Sequence, residues 1–256
     1  MNLRKVLFAL GTAALGTAAL CTTAFTNAIA RDVLRVGTEP TFAPFEYLDS
    51  ATKTYAGYDM DLIRAVADKA GYDVEIINMG FDALIPALSS GTIDVIAAGV
   101  SITEERAKRV DFTTPYYTTG LSILVRKTDA GTLKTMKDLE GKRIAVQIGT
   151  TGAEKAKSIS GAKVVSFNTT SDAFMDLAQG GCDAVILDRP VIAYFLKNQP
   201  RAAKRVTLQP GVDDAADFGF AVKKGNAELL QKLNAGLKAV NDSGEGKKIF
   251  EKYFAE

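Results

Sequence analysis

The 256-residue chain carries 31 basic and 30 acidic residues, a net charge of +1, and 47% of its residues are hydrophobic. This balance lacks the basic excess of nucleic-acid-binding proteins, and the length can bury the core of one large or two small domains. The sequence contains no histidine, which excludes serine–histidine and cysteine–histidine catalysis and the usual zinc sites.

Residues 1–30 have the pattern of a secretory signal peptide. A basic start is followed by an apolar segment, and Ala28-Ile29-Ala30 matches a small-x-small cleavage site. Cleavage after Ala30 would leave the mature chain in the periplasm or an equivalent extracytoplasmic space; an uncleaved membrane anchor is the alternative. Cys21 would be lost with the signal, so Cys182 would remain alone and no internal disulfide is expected.

The first half of the mature chain predicts alternating strands and helices. Val33–Gly37 predicts a strand, and two prolines in the loop 38–45 bar a helix or a central strand there. Phe42 in this loop is either a core residue or an exposed platform for a ligand, and its position between the prolines favours the platform. An amphipathic helix, a strand and a second helix follow, each helix ending at a glycine; their predicted ranges are Gly57–Gly71, Tyr72–Ile77 and Phe81–Ser90.

The segment Asp94–Arg106, DVIAAGVSITEER, predicts a buried strand at Val95–Ala98 and then a turn rich in hydrogen-bond donors. Ser101 and Thr103 are candidate helix caps, with Glu104 at capping-box spacing after Ser101. Free backbone N–H groups at such a turn bind anions, and the Arg106 guanidinium fits a carboxylate bidentately. The segment therefore predicts a carboxylate clamp, with an ordinary β–α turn and a solvated arginine as the alternative.

The second half of the chain repeats this alternation after a polar connection at Thr128–Leu139. A glycine- and hydroxyl-rich turn at 148–152 begins a helix, and the last two predicted helices should return to the first part of the fold. The predicted strands are Leu121–Arg126, Arg143–Gln147, Lys163–Phe167, Asp183–Asp188 and Asp217–Val222, and the other predicted helices are Ser171–Gln179, Ala227–Val240 and Gly246–Phe254.

An internal similarity indicates two related lobes. Residues 83–99 align without gaps with residues 172–188, and each segment contains a helix, a glycine stop and a buried strand. The matched pairs are Gly91 and Gly180, Asp94 and Asp183, Leu88 and Leu177, and Ile85 and Phe174. With so few identities, coincidence is the alternative. Ligands of open α/β sheets bind beyond the carboxyl ends of strands, which would put Arg106 opposite Asp188.

Six stretches together resemble the solute-binding proteins for polar amino acids that feed ABC importers. They span nearly the whole mature chain in the family's order: EPTFAPFEY (39–47), GYDMDLIRAVA (57–67), FDALIPALSSGTIDVIAAGVSITEER (81–106), VDFTTPYY (110–117), DLEGKRIAVQIGTT (138–151) and DAVILDRPVIAYF (183–195). The resemblance implies an α/β fold of two Rossmann-like lobes joined by a two-strand hinge, the type II periplasmic binding protein fold.

The resemblance also implies the domain organisation and the partners. Lobe 1 would comprise residues 31–117 and 220–256 and lobe 2 residues 118–219, with hinges near 116–120 and 216–220. The lobes would close around an L-amino acid. The loaded, monomeric protein would then dock on the permease of an ABC importer, whose ATPase subunits drive uptake. No cofactor, metal or nucleic acid is implied, and the protein would not be an enzyme.

The resemblance further implies a ligand site. Arg106 would bind the α-carboxylate with the backbone at Gly99, the Ser101 hydroxyl and Thr151. Asp188 would bind the α-ammonium group. Two aromatic residues would sandwich the ligand side chain, and two polar residues would touch its end. The complete expected site is Glu39, Phe42, Phe81, Ala98, Gly99, Ser101, Arg106, Gln147, Thr151 and Asp188.

Charge favours a basic ligand in this site. Arg106, Asp188 and Glu39 together leave one negative charge, which arginine or lysine would neutralise, and the two phenylalanine rings suit a guanidinium face. Glutamine is the alternative, because Glu39 would also accept a hydrogen bond from an amide and DRPVIAYFLKN resembles glutamine-type relatives. An acidic ligand is disfavoured.

Two other classes of function remain as rivals. Some dehydratases share this fold and use an acid in the cleft, for which Glu39 is the candidate. A sensory input module would need a downstream membrane helix and a signalling domain, which are not expected before Glu256. A stand-alone soluble amino-acid sensor is the remaining form of this alternative.

Overall fold

The computed structural model describes residues 31–255. The predicted signal peptide and its cleavage site lie outside these residues. The strands are β1 (Asp32–Thr38), β2 (Thr41–Phe42), β3 (Glu46–Leu48), β4 (Tyr55–Ala56), β5 (Tyr72–Asn78), β6 (Val95–Ile96), β7 (Val110–Phe112), β8 (Tyr117–Arg126), β9 (Arg143–Gln147), β10 (Lys163–Phe167), β11 (Ala184–Asp188), β12 (Val206–Leu208), β13 (Asp213–Phe218) and β14 (Ala221–Lys223). The α-helices are α1 (Tyr58–Ala70), α2 (Phe81–Ser90), α3 (Glu104–Ala107), α4 (Thr151–Ser158), α5 (Thr170–Gln179), α6 (Arg189–Asn198), α7 (Pro200–Ala203), α8 (Ala227–Asp242) and α9 (Glu245–Phe254).

The first lobe is built on a five-stranded sheet with the order β5-β1-β6-β14-β7. Strands β5, β1 and β6 are parallel, and β14 runs antiparallel to both of its neighbours. Val95 joins the core cluster that contains α1 and the adjacent Ile96 joins the cluster that contains α2, so β6 is covered on both faces as predicted. Helices α8 and α9 pack against α1, which confirms that the end of the chain returns to this lobe.

The second lobe is built on a six-stranded sheet with the order β10-β9-β11-β8-β12, and β13 also pairs with β8. Strands β10, β9 and β11 are parallel and β8 is antiparallel to β11. Helices α4, α5 and α6 pack against this sheet. Counted from the edge, the three parallel strands follow the same spatial and sequence order as in the first lobe, which gives two α/β lobes of related topology.

The internal similarity corresponds to equivalent structure. Gly91 ends α2 and Gly180 ends α5, both in the left-handed region with φ of 79° and 87°; glycine reaches this region without strain. Asp94 accepts a 2.9 Å hydrogen bond from the backbone N–H of Arg35, and Asp183 accepts one of the same length from Arg143. Asp94 therefore ties the start of β6 to β1, and Asp183 ties the start of β11 to β9.

The strand predicted at Asp217–Val222 is wrong, because the chain changes sheets inside it. β13 ends at Phe218 in the second sheet, and β14 begins at Ala221 in the first. Phe218 and Phe220 are both fully buried, so a hydrophobic run gave no sign of the change. β8 enters the second sheet beside β13, with Tyr117 paired to Phe218.

Several smaller elements were not predicted. The proline-containing loop carries β2, which forms a three-stranded sheet with β3 and β4. The strand expected at Val95–Ala98 is only two residues long. Within residues 31–255, no helix is both long enough and apolar enough to cross a membrane.

Candidate functional site

A small cavity of about 10 Å³ lies between the two lobes, beyond the carboxyl ends of their strands. Its lining comes from the ends of β9 and β11, the start of α2, and the turns after β6 and β9. The lining residues are Phe42, Phe81, Gly99, Ser101, Arg106, Gln147, Thr150, Thr151 and Asp188. Every predicted site residue except Glu39 and Ala98 therefore lines this cavity. Glu39 is hydrogen-bonded to Gln147, which does line it.

Arg106 lies at the boundary of the lobes. Its Nη1 donates to the Ser101 carbonyl at 2.9 Å, and its Nη2 donates across the cleft to the Gly149 carbonyl at 3.0 Å. The guanidinium carbon is 5.5 Å from the centroid of the Phe81 ring, so Phe81 stacks on a protein cation as well as lining the cavity. Burial lowers the pKa of Arg106, whereas Asp188 raises it.

The predicted capping box at Ser101 is wrong. Thr103 caps α3 by accepting from the Arg106 N–H at 3.2 Å, and the helix is only one turn long. Ser101 is instead buried in a β-bridge with Phe218, because the chain is still extended at that point. Thr103 therefore occupies one N–H at the start of α3, and the Arg106 side chain supplies the charged donors at this turn.

Gly99 is positioned by a residue that the sequence analysis missed. Its N–H donates at 2.8 Å to Asp59 on α1, a buried carboxylate that also accepts from the Tyr116 hydroxyl at 2.6 Å. The carbonyl of Gly99, and not its N–H, is thus free for a ligand. Gly99 has φ +54°, and a Cβ there would lie 2.7 Å from the Phe42 ring. A carboxylate on the apolar face of a predicted helix was the available signal for Asp59.

Two predicted residues are buried more deeply than expected. Phe42 is only 5% exposed, with ring centroids 5.8 Å from Phe45 and 6.3 Å from Phe218. The prediction of an exposed platform is therefore wrong: the ring belongs to an aromatic cluster at the junction of the lobes, and it only lines the cavity. Ala98 packs in the core cluster around α2 and does not line the cavity.

Asp188 ends β11 and is buried at the cavity. Burial raises its pKa to about 7, although the charge of Arg106 acts in the opposite direction. A buried carboxylate of this kind favours a cationic partner, which would stabilise its ionised form.

Glu39 and Gln147 meet across the cleft. Glu39 Oε2 accepts from Gln147 Nε2 at 2.7 Å and from the Thr41 hydroxyl at 2.7 Å. Burial raises the pKa of Glu39, and the hydrogen bonds from Thr41 and Gln147 lower it. The two residues expected at the end of the ligand side chain are therefore paired with each other.

The orientation of the Gln147 amide follows from its partners. Nε2 donates to Glu39 and, at 3.1 Å, to the Asn168 carbonyl. Both partners only accept hydrogen bonds, so the amide nitrogen must face them and the Gln147 Oε1 remains as an acceptor. Glu39 Oε1 receives neither of these bonds, and the Thr41 backbone also acts on the Glu39 carboxyl to lower its pKa.

The surroundings of Glu39 are acidic. Glu46 on β3 is buried with no hydrogen-bond partner for either oxygen in the described part of the chain. Burial raises its pKa well above the usual value, and the charges of Asp59, Glu39 and Asp188 act in the same direction. Residues 31–255 contain no group of acidic or cysteine side chains placed to hold a metal ion.

Two lysines follow the Thr151 turn, and each forms an ion pair with an acidic residue. Lys155 pairs with Asp214 at 2.9 Å, and Lys157 pairs with Glu154 at 2.8 Å. Lys155, Asp214 and Arg109 instead line a wider cavity of about 730 Å³, which continues the cleft past Arg106.

The family model for bacterial extracellular solute-binding proteins, family 3, matches residues 34–256. The chain belongs to this family. The match covers both lobes, and the topology of the two sheets agrees with it.

Curated family members are similar over most of their length. A probable histidine-binding protein of Campylobacter jejuni is 36% identical over 225 residues, 87% of this chain and 85% of the relative. The ABC transporter arginine-binding protein 1 of Escherichia coli is 35% identical over 234 residues, 90% of this chain and 94% of the relative.

Solved structures of similar proteins carry ligands. The structure of an ancestral arginine-binding protein bound to arginine has a TM-score of 0.83 at 42% identity and covers 88% of this chain and 99% of its own. An ancestral arginine-binding protein bound to glutamine has a TM-score of 0.84 at 43% identity and covers 89% of this chain and 100% of its own.

Proposed function

We propose that this family 3 protein binds a basic L-amino acid, with arginine as the leading candidate, outside the cytoplasm and delivers it to an ABC importer. The observation that carries the choice of ligand is the buried Glu39 carboxylate, which is paired with Gln147 across the cleft where the end of the ligand side chain is expected and leaves Gln147 Oε1 as a further acceptor. A guanidinium group offers five N–H donors and no acceptor, so it complements these acceptors.

At the other end of the site, two oppositely charged side chains would bind the α-carboxylate and α-ammonium groups of the ligand. Arg106 would form a bidentate pair with the ligand carboxylate, and Asp188 would pair with its ammonium group. Arg106 now donates to carbonyls at Ser101 and Gly149, so it would exchange at least one of these bonds for the ligand carboxylate. The ligand would then contact both lobes, since Asp188 and Gly149 belong to the second.

Closure of the two lobes is the proposed mechanism. A cavity of about 10 Å³ holds about one water molecule, so an amino acid must enter while the lobes are further apart. The side-by-side crossings at β8 and β13 support hinges near 116–120 and 216–220, with lobe 1 at 31–117 and 220–256 and lobe 2 at 118–219. Ligand that bridges both half-sites would stabilise the closed form.

The remaining parts of the proposal concern location and partners. Residues 1–30 would act as a cleaved signal peptide, and the mature protein would be an extracytoplasmic monomer. Its partners would be the permease and ATPase subunits of the importer, and it would not bind nucleic acid.

Glutamine is the second candidate ligand. A ligand amide would donate its two hydrogens to Glu39 and Gln147, and an ancestral arginine-binding protein of similar structure carries glutamine. The buried acids Glu39, Glu46, Asp59 and Asp188 favour the cation over the neutral amide, because it relieves their mutual repulsion.

The test replaces Glu39 by glutamine. We expect Glu39→Gln to weaken arginine and lysine binding by about tenfold or more, because a charge-assisted hydrogen bond is lost, and to affect glutamine less. Glu105→Gln is the matched control, since Glu105 is exposed and lines only the wide part of the cleft. Titration calorimetry gives the affinities; tenfold tighter binding of glutamine than of arginine and lysine by the unmodified protein would overturn the basic-ligand proposal.

We propose further that the protein is not a fold-sharing dehydratase. A cleft acid would have to donate a proton, and although burial raises the pKa of Glu39, the hydrogen bonds from Thr41 and Gln147 act in the opposite direction. Incubation with prephenate or arogenate should give no product, and turnover that disappears in Glu39→Gln would support the enzyme instead.

A further inference from the structure

A chain of hydrogen bonds connects the second lobe to Glu39 through Thr41. The backbone N–H of Thr170, in the first turn of α5, donates to the Thr41 hydroxyl at 3.2 Å. The same hydroxyl donates to Glu39 Oε2 at 2.7 Å. A second contact, in which the Thr170 hydroxyl donates to the Thr41 carbonyl, joins the lobes beside this chain.

The direction of the chain is determined by its first donor. A backbone N–H can only donate, so the Thr41 hydroxyl must accept from Thr170 and has one proton left. That proton points to Glu39 Oε2, which also receives the Gln147 amide. Two donors thus converge on one carboxylate oxygen and fix the orientation of the Glu39 carboxylate.

This arrangement opposes the effect of burial on Glu39. Glu39 is 5% exposed, and burial raises its pKa, while the Thr41 hydrogen bond lowers it. Two other acids act on the same site: Asp172 raises the pKa of Glu39, and Glu46 is electrostatically coupled to it. Loss of the Thr41 hydroxyl would leave the Gln147 hydrogen bond and the Thr41 backbone to oppose these effects, so the pKa of Glu39 should rise further.

We propose that Thr41 is the positioning residue that sets specificity for a cationic side chain. Within the first lobe it orients the Glu39 carboxylate and favours its ionised form, and Thr170 of the second lobe fixes the direction of the Thr41 hydroxyl when the lobes are closed. This inference rests on the proposed binding of a basic amino acid. Thr41 itself does not line the small cavity, so it would act only through Glu39.

The variants separate this role from simple contact between the lobes. Thr41→Val keeps the shape of the side chain and removes the hydroxyl, and Thr41→Ser keeps the hydroxyl. Thr170→Val is the matched control: it removes the Thr170 hydroxyl, which donates to the Thr41 carbonyl and lies 3.5 Å from the Thr41 hydroxyl, but leaves the backbone N–H that orients Thr41.

The first measurement compares arginine with citrulline, its neutral isostere, by titration calorimetry. Thr41→Val should reduce the arginine preference about tenfold, the effect of a lost hydrogen bond to a charged group, and Thr41→Ser should restore it. Thr170→Val should change both affinities by a similar factor. An unchanged preference in Thr41→Val would overturn the proposal.

The second measurement needs no ligand. The carboxyl carbon of Glu39, assigned by its loss in Glu39→Gln, is titrated by NMR in the unliganded protein. Its pKa should rise in Thr41→Val and stay unchanged in Thr170→Val. An unshifted titration would overturn the role of Thr41, whereas a shifted titration in a protein that binds neither arginine nor lysine would overturn only the proposed function.

Discussion

Single residues at the cleft perform more than one task. Arg106 is held by the Ser101 carbonyl in its own lobe and by the Gly149 carbonyl in the other, and it stacks on Phe81. The guanidinium is therefore preorganised near the place where a ligand carboxylate would lie, which reduces the ordering cost of binding. Asp59 also preorganises the site, because it accepts the Gly99 N–H and so holds the turn after β6 in place.

Replacing Arg106 tests the clamp. Arg106→Ala should weaken amino-acid binding by about 2–5 kcal/mol, because the ligand carboxylate would be buried without its partner. The fold should remain, since α3 is a single turn with no buried residue. Arg109→Ala, three residues away on the wide cavity, is the control. Calorimetry that gives near-normal affinity for Arg106→Ala would contradict the assignment.

The raised pKa of Asp188 predicts pH-dependent binding. Its pKa of about 7 lies above the usual 3.8, so the unliganded protein is partly protonated at Asp188 below neutral pH. A ligand ammonium group requires the ionised form, and affinity should therefore rise about tenfold per pH unit from about pH 5 to 7. Calorimetry at pH 6 in two buffers of different ionisation enthalpy should reveal proton release; none would contradict the pairing.

At the scale of the elements, an aspartate at the start of one strand accepts hydrogen bonds from the neighbouring strand in each lobe. Asp94 binds the backbone and the guanidinium of Arg35, with side-chain distances of 2.9 and 2.7 Å. Asp183 binds the backbone of Arg143 and, at 3.3 Å, the guanidinium of Arg126. These bonds help to set the register of β6 against β1 and of β11 against β9, whose ends carry predicted site residues.

Removing one aspartate should destabilise its lobe. Asp94→Ala should lower the free energy of unfolding by about 1–3 kcal/mol, since charge-assisted hydrogen bonds and a backbone cap are lost together. Asp68→Ala is the control, because its 2.9 Å ion pair with Arg31 is largely exposed and should contribute less than about 1 kcal/mol. Urea unfolding measures both; an equal effect of the two variants would argue against a structural role for Asp94.

At the scale of the whole molecule, polar contacts already join the lobes. They link Glu39 to Gln147, Arg106 to Gly149 and Thr41 to Thr170. An amino acid that contacts both lobes would add to these contacts and increase the population of the closed arrangement.

Closure should be visible in solution. Saturating ligand should reduce the radius of gyration in X-ray scattering, since the half-sites of both lobes would bind the same ligand molecule and the lobes would move together. Thr170→Val, which lacks one contact between the lobes, should start from a larger radius and show a larger change. An identical profile with and without ligand in both proteins would contradict closure as the binding mechanism.

The sequence by itself determined most of the larger elements and the class of the protein. Alternating apolar runs, glycine stops and the repeat of 83–99 at 172–188 were sufficient for two α/β lobes, because these signals are local along the chain. The residues at strand ends, such as Arg106 and Asp188, could be named because topology brings strand ends to one edge.

Only the tertiary structure decided which partner each side chain meets. The change of sheet at Gly219, the burial of Phe42 and the pairing of Glu39 with Gln147 join residues that are far apart in sequence or in different lobes. Hydropathy reports how apolar a segment is, but not which surface will cover it. The same limit hid Thr41, whose hydroxyl joins Glu39 to Thr170 of the second lobe.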